Sequence, residues 1–431
     1  MKKHSIFSLV ALCCVLLVTS CSKDEIIGGN VPPTPPTPPT PPIEASLTAS
    51  ATSYRVTTLD PALNFGSTAS YHWSVEQAAS ELYSLTEASA EKALFLTSAA
   101  GDYKLKLTAE NAGTTYIRHI TVSVTAPEQA PSPYIAKVYD FLPAPGQFTN
   151  KMPEYTTGDT QAQLITKAAA YVVGKKNGGL VSLGGFGGYI VFGFDHTIAN
   201  VEGKRDFRVM GNAFFADANP NPSGAQRGGS CEPGIILVAY DANKNGTPDD
   251  DEWYEIAGSE YAKPATKKGY EMTYYRPTSE EAVPDDDMFV AIRDYIRWTD
   301  NLGATGYKIK NTFYAQSYYP SWITADHITY KGTLLPPNGV NESEDPETQY
   351  WVLYAYGYGY ADNALNNEDD SAIDISWAVN AKGEKVELPG IDFVKVQNGI
   401  NQECGWLGEN STEVAGAYDL HLAGESIATV R

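Results

Sequence analysis

The chain has 431 residues, enough for about two or three domains at roughly 150 residues each. With 42% hydrophobic and 19% charged residues it carries enough apolar surface to offset chain entropy, which excludes general disorder. A formal charge of -21 repels nucleic acid and anionic membrane surfaces at long range, so polyanionic partners are not expected.

In chain order, Lys2 and Lys3 precede an apolar run over residues 6–18, too short to span a membrane and of the length of a secretory signal core. The run closes on Val18, Thr19, Ser20 and Cys21, which resembles a bacterial lipobox and implies lipidation of Cys21 after removal of residues 1–20. Ser22, Lys23, Asp24 and Glu25 then resemble the acidic signal that sends Bacteroidetes lipoproteins to the cell surface. Residues 31–42 hold eight prolines in twelve positions. Such a composition enforces polyproline II at about 3.1 Å per residue, so residues 21–42 read as a lipidated, stiff tether roughly 35–40 Å long.

Residues 43–127 carry short runs of period two, at 46–49, 71–75, 103–107 and 120–124. Alternation of this kind marks half-buried strands, and turn residues between them predict a small sandwich with Trp73 as its core plug. Gly101, Asp102, Tyr103, Lys104 and Leu105, followed by Thr108 to Asn111, resemble the PKD family of immunoglobulin-like modules, which implies a spacer role.

After a second proline-rich breaker, residues 133–431 are left to hold the function. A cap at 156–159 and an Ala-, Gln- and Leu-rich stretch predict one helix over 160–173. Gly184, Gly185, Gly187 and Gly188 feed a strand; no Lys-Ser/Thr pair or helix follows, so they do not form a phosphate loop. The stretches 184–195, 203–212, 232–238, 253–259 and 390–396 resemble the jelly-roll, galactose-binding-like domains of bacterial surface proteins. The expected fold class is therefore mostly β: a small immunoglobulin-like, PKD-like sandwich followed by a large jelly-roll-like sandwich with insertions.

The sharpest chemical motif is residues 241–252. Asp241, Asn243, Asn245, Asp249 and Glu252 place oxygens at positions 1, 3, 5, 9 and 12, Thr247 offers a carbonyl at 7, and Gly246 supplies the sharp turn. With strands expected on both sides, this reads as a structural calcium hairpin. Acidic clusters at 285–287 and 368–370 lack such spacing and read as solvated loops. Cys231 and Cys404 remain available to pair in the oxidising compartment the signal implies, and their spacing leaves that pairing open.

Aromatic density is the second unusual feature. Tyr314, Tyr318, Tyr319 and Trp322 sit in an expected loop, and Tyr354, Tyr356, Tyr358 and Tyr360 recur at every second position, as on one face of a strand. These residues form either a Tyr-rich core or a platform for sugars or a bulky planar ligand. Nucleophile-elbow and His-x-x-x-His motifs are lacking, so an enzyme is not expected, although paired carboxylates for glycoside hydrolysis leave no spacing to read.

Signal, tether, PKD-like module and Tyr-rich domain together resemble Bacteroidetes surface lipoproteins that capture nutrients for TonB-dependent transporters. Stretches 253–261, 296–301 and 404–409 are similar to a group found in vitamin B12 uptake loci. That resemblance implies capture of cobalamin or another corrinoid, with Tyr314, Tyr318, Tyr319, Trp322, Tyr354, Tyr356 and Tyr358 as candidate contacts. A glycan-binding lipoprotein, a structural adhesin and a glycoside hydrolase remain the alternatives.

Overall fold

Period-two alternation yields strands at 46–49, 71–75, 103–107 and 120–124. The computed structural model describes residues 41–216, 227–345 and 348–429; the signal, Cys21 and nearly all of the tether lie outside them. Among the described residues the protein is mostly β, with twenty-eight strands and one α-helix. From Pro42 onward it forms one compact unit.

The first sandwich pairs two sheets. One runs in the order Ile43–Thr52, Thr114–Thr125, Gly101–Asn111, Ser70–Gln77, the other Thr57–Leu59, Ala93–Thr97, Tyr83–Thr86. Leu59, Phe95, Tyr103, Leu105, Leu107 and Val122 close the space between them around Trp73, which is 2% exposed. Burying an indole leaves its N–H to satisfy, and Trp73 Nε1 donates to the Ala90 carbonyl at 3.0 Å. The expected core plug is thus observed.

The larger sandwich is built on a six-stranded sheet, in the order Ala378–Val379, Trp253–Ile256, Gly234–Ala239, Gly390–Asn398, Tyr189–Ala199, Lys137–Leu142. Its central strands are buried on both faces, which is why they read as near-continuous apolar runs. One face packs Ile190, Phe192, Ile236, Val238 and Val394 against the helix and a three-stranded sheet carrying Phe207, Val209 and Ala417. The helix runs Gln161–Val172 and its cap is Thr160, one residue past the expected 156–159, where Thr160 and Gln163 form a reciprocal capping box. It buries Leu164, Ala168 and Val172, spaced by four residues along one stripe.

Alternation turns Ile235 and Leu237 away from that core, into a second one with Tyr356 and Tyr360. A third core fills a four-stranded sheet, ordered Thr305–Asn311, Val290–Asp300, Lys267–Tyr275, His327–Leu334, with Tyr270, Tyr274, Tyr295, Tyr318, Tyr319 and Tyr330. Much of the tyrosine excess is therefore core. The two sandwiches meet where Leu96, Val56 and Leu82 pack on Ala199 and Val201, and Arg55 donates to the Asp195 carbonyl at 3.1 Å.

One local expectation fails. The strand Trp351–Tyr354 ends where the alternating tyrosines begin, and 355–360 is a loop. Within this loop Gly359 takes φ +86°, a conformation that L side chains rarely adopt. Tyr356 and Tyr360 consequently fall in one core and Tyr358 against Trp377 in another, not on a common face.

Candidate functional site

A cleft of about 580 Å³ opens beside the sheet formed by Phe214–Phe215, Gly228–Ser230, Trp351–Tyr354 and Gly339–Asn341. Its aromatic wall comprises Phe148, Phe313, Tyr314 and Trp406. Phe313 is 55% and Trp406 39% exposed, whereas Tyr314 is held edge-on by Phe148 at 4.9 Å. Large rings left open beside a concavity are a feature of binding surfaces, because an isolated core would cover them.

The other wall carries carboxyls: Glu232, Glu409 and Glu413 line the cleft, with Asp362 behind them. Oxygens of Glu232, Asp362 and Glu413 all lie within 4.8 Å of one another. Asp362 sits at φ +52° and accepts backbone N–H groups of Asn212 and Ala213, each at 2.7 Å, and of Glu413 at 3.0 Å. Glu232 accepts from the Ser411 N–H at 2.9 Å, and Glu413 from the Ser411 hydroxyl at 2.9 Å. The Gln147 N–H donates to Glu409 Oε1 at 2.8 Å.

Burial dominates the electrostatics here. It pushes Asp362 and Glu409 up to about 7, with the three N–H donors of Asp362 and Lys308 near Glu409 opposing it. Glu232 and Glu413 are raised well above the ordinary carboxyl range, both by burial first, then Glu232 by Asp362 and Glu409, and Glu413 by Glu232 and Asp362. Burial therefore opposes full ionisation of the cluster, whose wall presents carboxyl donors as well as acceptors near neutral pH.

The predicted aromatics distribute differently. Tyr314 lines the cleft, and the other six candidate contacts lie outside its lining. Tyr318 and Tyr319 are fully buried; Tyr318 accepts from the Asn311 N–H, and Tyr319 donates to the Ala325 carbonyl. Trp322 stacks on Tyr155 and donates to Gln161 of the helix. Tyr354 donates to Glu342, Tyr356 to the Pro336 carbonyl, and Tyr358 packs on Trp377. These hydroxyls and rings already serve the fold. The acidic wall escaped the sequence because carboxyls used in this way have no fixed spacing; Phe313 stands in an aromatic-rich stretch, whereas Trp406 is isolated in sequence.

Cys231 and Cys404 are buried free thiols, so the pairing left open by their spacing is not formed. Residues 241–252 form a turn between the strands Gly234–Ala239 and Trp253–Ile256. Asp241 accepts from the N–H groups of Asn245 and Gly246 at 3.0 and 2.8 Å, and the Asn243 and Asn245 amides meet Asp249 Oδ2 at 2.6 and 2.7 Å. Glu252 folds back to accept the Ala242 N–H at 3.1 Å, and Gly246 takes φ +74°. The donor set is all oxygen, which suits a hard cation such as calcium.

No family model matches the chain, and no curated protein matches it. Among solved structures it is similar over 26% of its length to a 2,6-sialyltransferase from Vibrionaceae Photobacterium sp. JT-ISH-224, crystallised with CMP and lactose. Identity there is 15% and the TM-score 0.17, and the match covers 22% of that enzyme's chain. A likeness at that score assigns neither fold nor activity. No helix among the described residues is long and apolar enough to cross a membrane.

Proposed function

We propose that the protein is a lipid-anchored outer-membrane surface protein that captures a nutrient for a TonB-dependent transporter, with a corrinoid as the ligand and the aromatic cleft as the site. The observation that carries the reading is the pairing of exposed Phe313 and Trp406 with a buried carboxyl wall whose ionisation burial opposes. A corrin offers a wide apolar rim edged with amides, so its site needs ring surface plus neutral donors and acceptors, and this cleft combines them. The same wall accepts sugar hydroxyls, which makes a glycan the second reading. Binding requires no turnover, and the ligand is expected to be recovered unchanged.

Calcium at residues 241–252 belongs to this proposal as a structural ion that braces the hairpin. Calorimetry with cyanocobalamin against a glycan panel tests the function. Truncating an exposed ring at the centre of a site costs about 2 kcal/mol, roughly thirtyfold in affinity, so Trp406→Ala and Phe313→Ala should each weaken binding while the melting curve stays unchanged. Absence of saturable cobalamin binding would remove the corrinoid reading, and wild-type affinity in both variants would move the site out of the cleft.

A further inference from the structure

A second cavity, of about 370 Å³, lies on the face of the six-stranded sheet turned away from the helix. Ile235, Leu237 and Trp253 supply its apolar lining, and Gly332 and Thr333 of the strand His327–Leu334 close it from the neighbouring sheet. The cavity shares no lining residue with the aromatic cleft.

Its decisive group is Gln397, which is only 4% exposed. Both amide hydrogens are committed, because Nε2 donates to the carbonyls of Gly187 and Lys331, each at 2.9 Å. Those two bonds fix the orientation of the amide. Oε1 then faces Gly332, where a Cβ would come within 2.6 Å of it. That oxygen is open to the cavity, where a donor from a bound molecule can reach it. Glycine at 332 keeps the space in front of that oxygen open.

Around this acceptor the polar groups are arranged in a chain. Glu255 takes the Thr333 hydroxyl at 2.7 Å and Lys268 Nζ at 3.1 Å, and Lys268 lies 3.0 Å above the centre of the Tyr261 ring. A carboxylate, an ammonium and an amide acceptor beside a partly exposed indole form a set suited to a compact neutral ring with an apolar face and hydroxyls on its edge. We infer that this cavity is a second binding site, which takes one pyranose unit, independent of the ligand in the aromatic cleft.

Saturation-transfer NMR on the folded protein tests this, using methyl β-D-glucopyranoside, methyl β-D-galactopyranoside and methyl α-D-mannopyranoside at millimolar concentration. At least one should receive transfer. Gly332→Ala, which fills the space before Gln397 Oε1, and Glu255→Gln, which keeps the shape but loses the charge, should each weaken its binding about tenfold or more. The second variant guards against a folding defect in the first, and melting curves report on both. Cyanocobalamin titration should be the same in wild type and variants, whether or not the cleft binds it. No transfer from any of the three glycosides, or wild-type affinity in either folded variant, would overturn the inference.

Discussion

Replacing Glu409 with Gln probes the carboxyl wall of the cleft directly. The Glu409 carboxyl is buried and stands at about 7, against an ordinary value near 4.5. The folded state therefore holds a proton that the unfolded chain releases at lower pH. A group raised in this way contributes stability that is complete below the unfolded value and is lost as pH climbs through the folded one. Between about pH 5.5 and pH 8.5 the linked loss is roughly 2 kcal/mol for this single carboxyl. Glutamine keeps an acceptor for the Gln147 N–H, bonded at 2.8 Å in the wild type, and cannot ionise. Urea denaturation of wild type and Glu409→Gln at both pH values gives the answer, because titrations elsewhere cancel in the comparison. The variant should gain on the wild type by about 2 kcal/mol as pH rises across that window. An equal difference at both ends would refute a raised Glu409 and with it the opposed ionisation of the wall on which the corrinoid reading depends.

The core plug gives a simpler outcome: Trp73→Ala should cost about 3–5 kcal/mol, seen as a fall in denaturation midpoint, since it empties the centre of the first sandwich. If residues 241–252 hold calcium in the folded state alone, a chelator should lower the melting temperature and Asp241→Ala should abolish that shift; identical curves with and without chelator would make the loop a metal-free turn. Cys21→Ala should release the protein from membranes, and a variant still labelled by palmitate would refute lipidation at that position.

Features set by neighbours along the chain were legible from sequence. Strands at 71–75 and 103–107, the helix after residue 160 and the turn at Gly246 each depend on side-chain alternation, helical periodicity or a backbone angle within a few residues. Composition likewise determined that the chain would be mostly β. The cleft depends on separation instead: Glu232, Asp362 and Glu413 span 181 positions, and only the folded chain brings their oxygens within 4.8 Å. Their raised pKa values follow from burial, which has no counterpart in residue order. The tyrosines after 354 show where a local pattern misleads, because alternation predicts one face only while the strand continues. It ends at Tyr354, and Tyr356 and Tyr358 fill two separate cores, since packing of distant surfaces overrides a local preference worth far less.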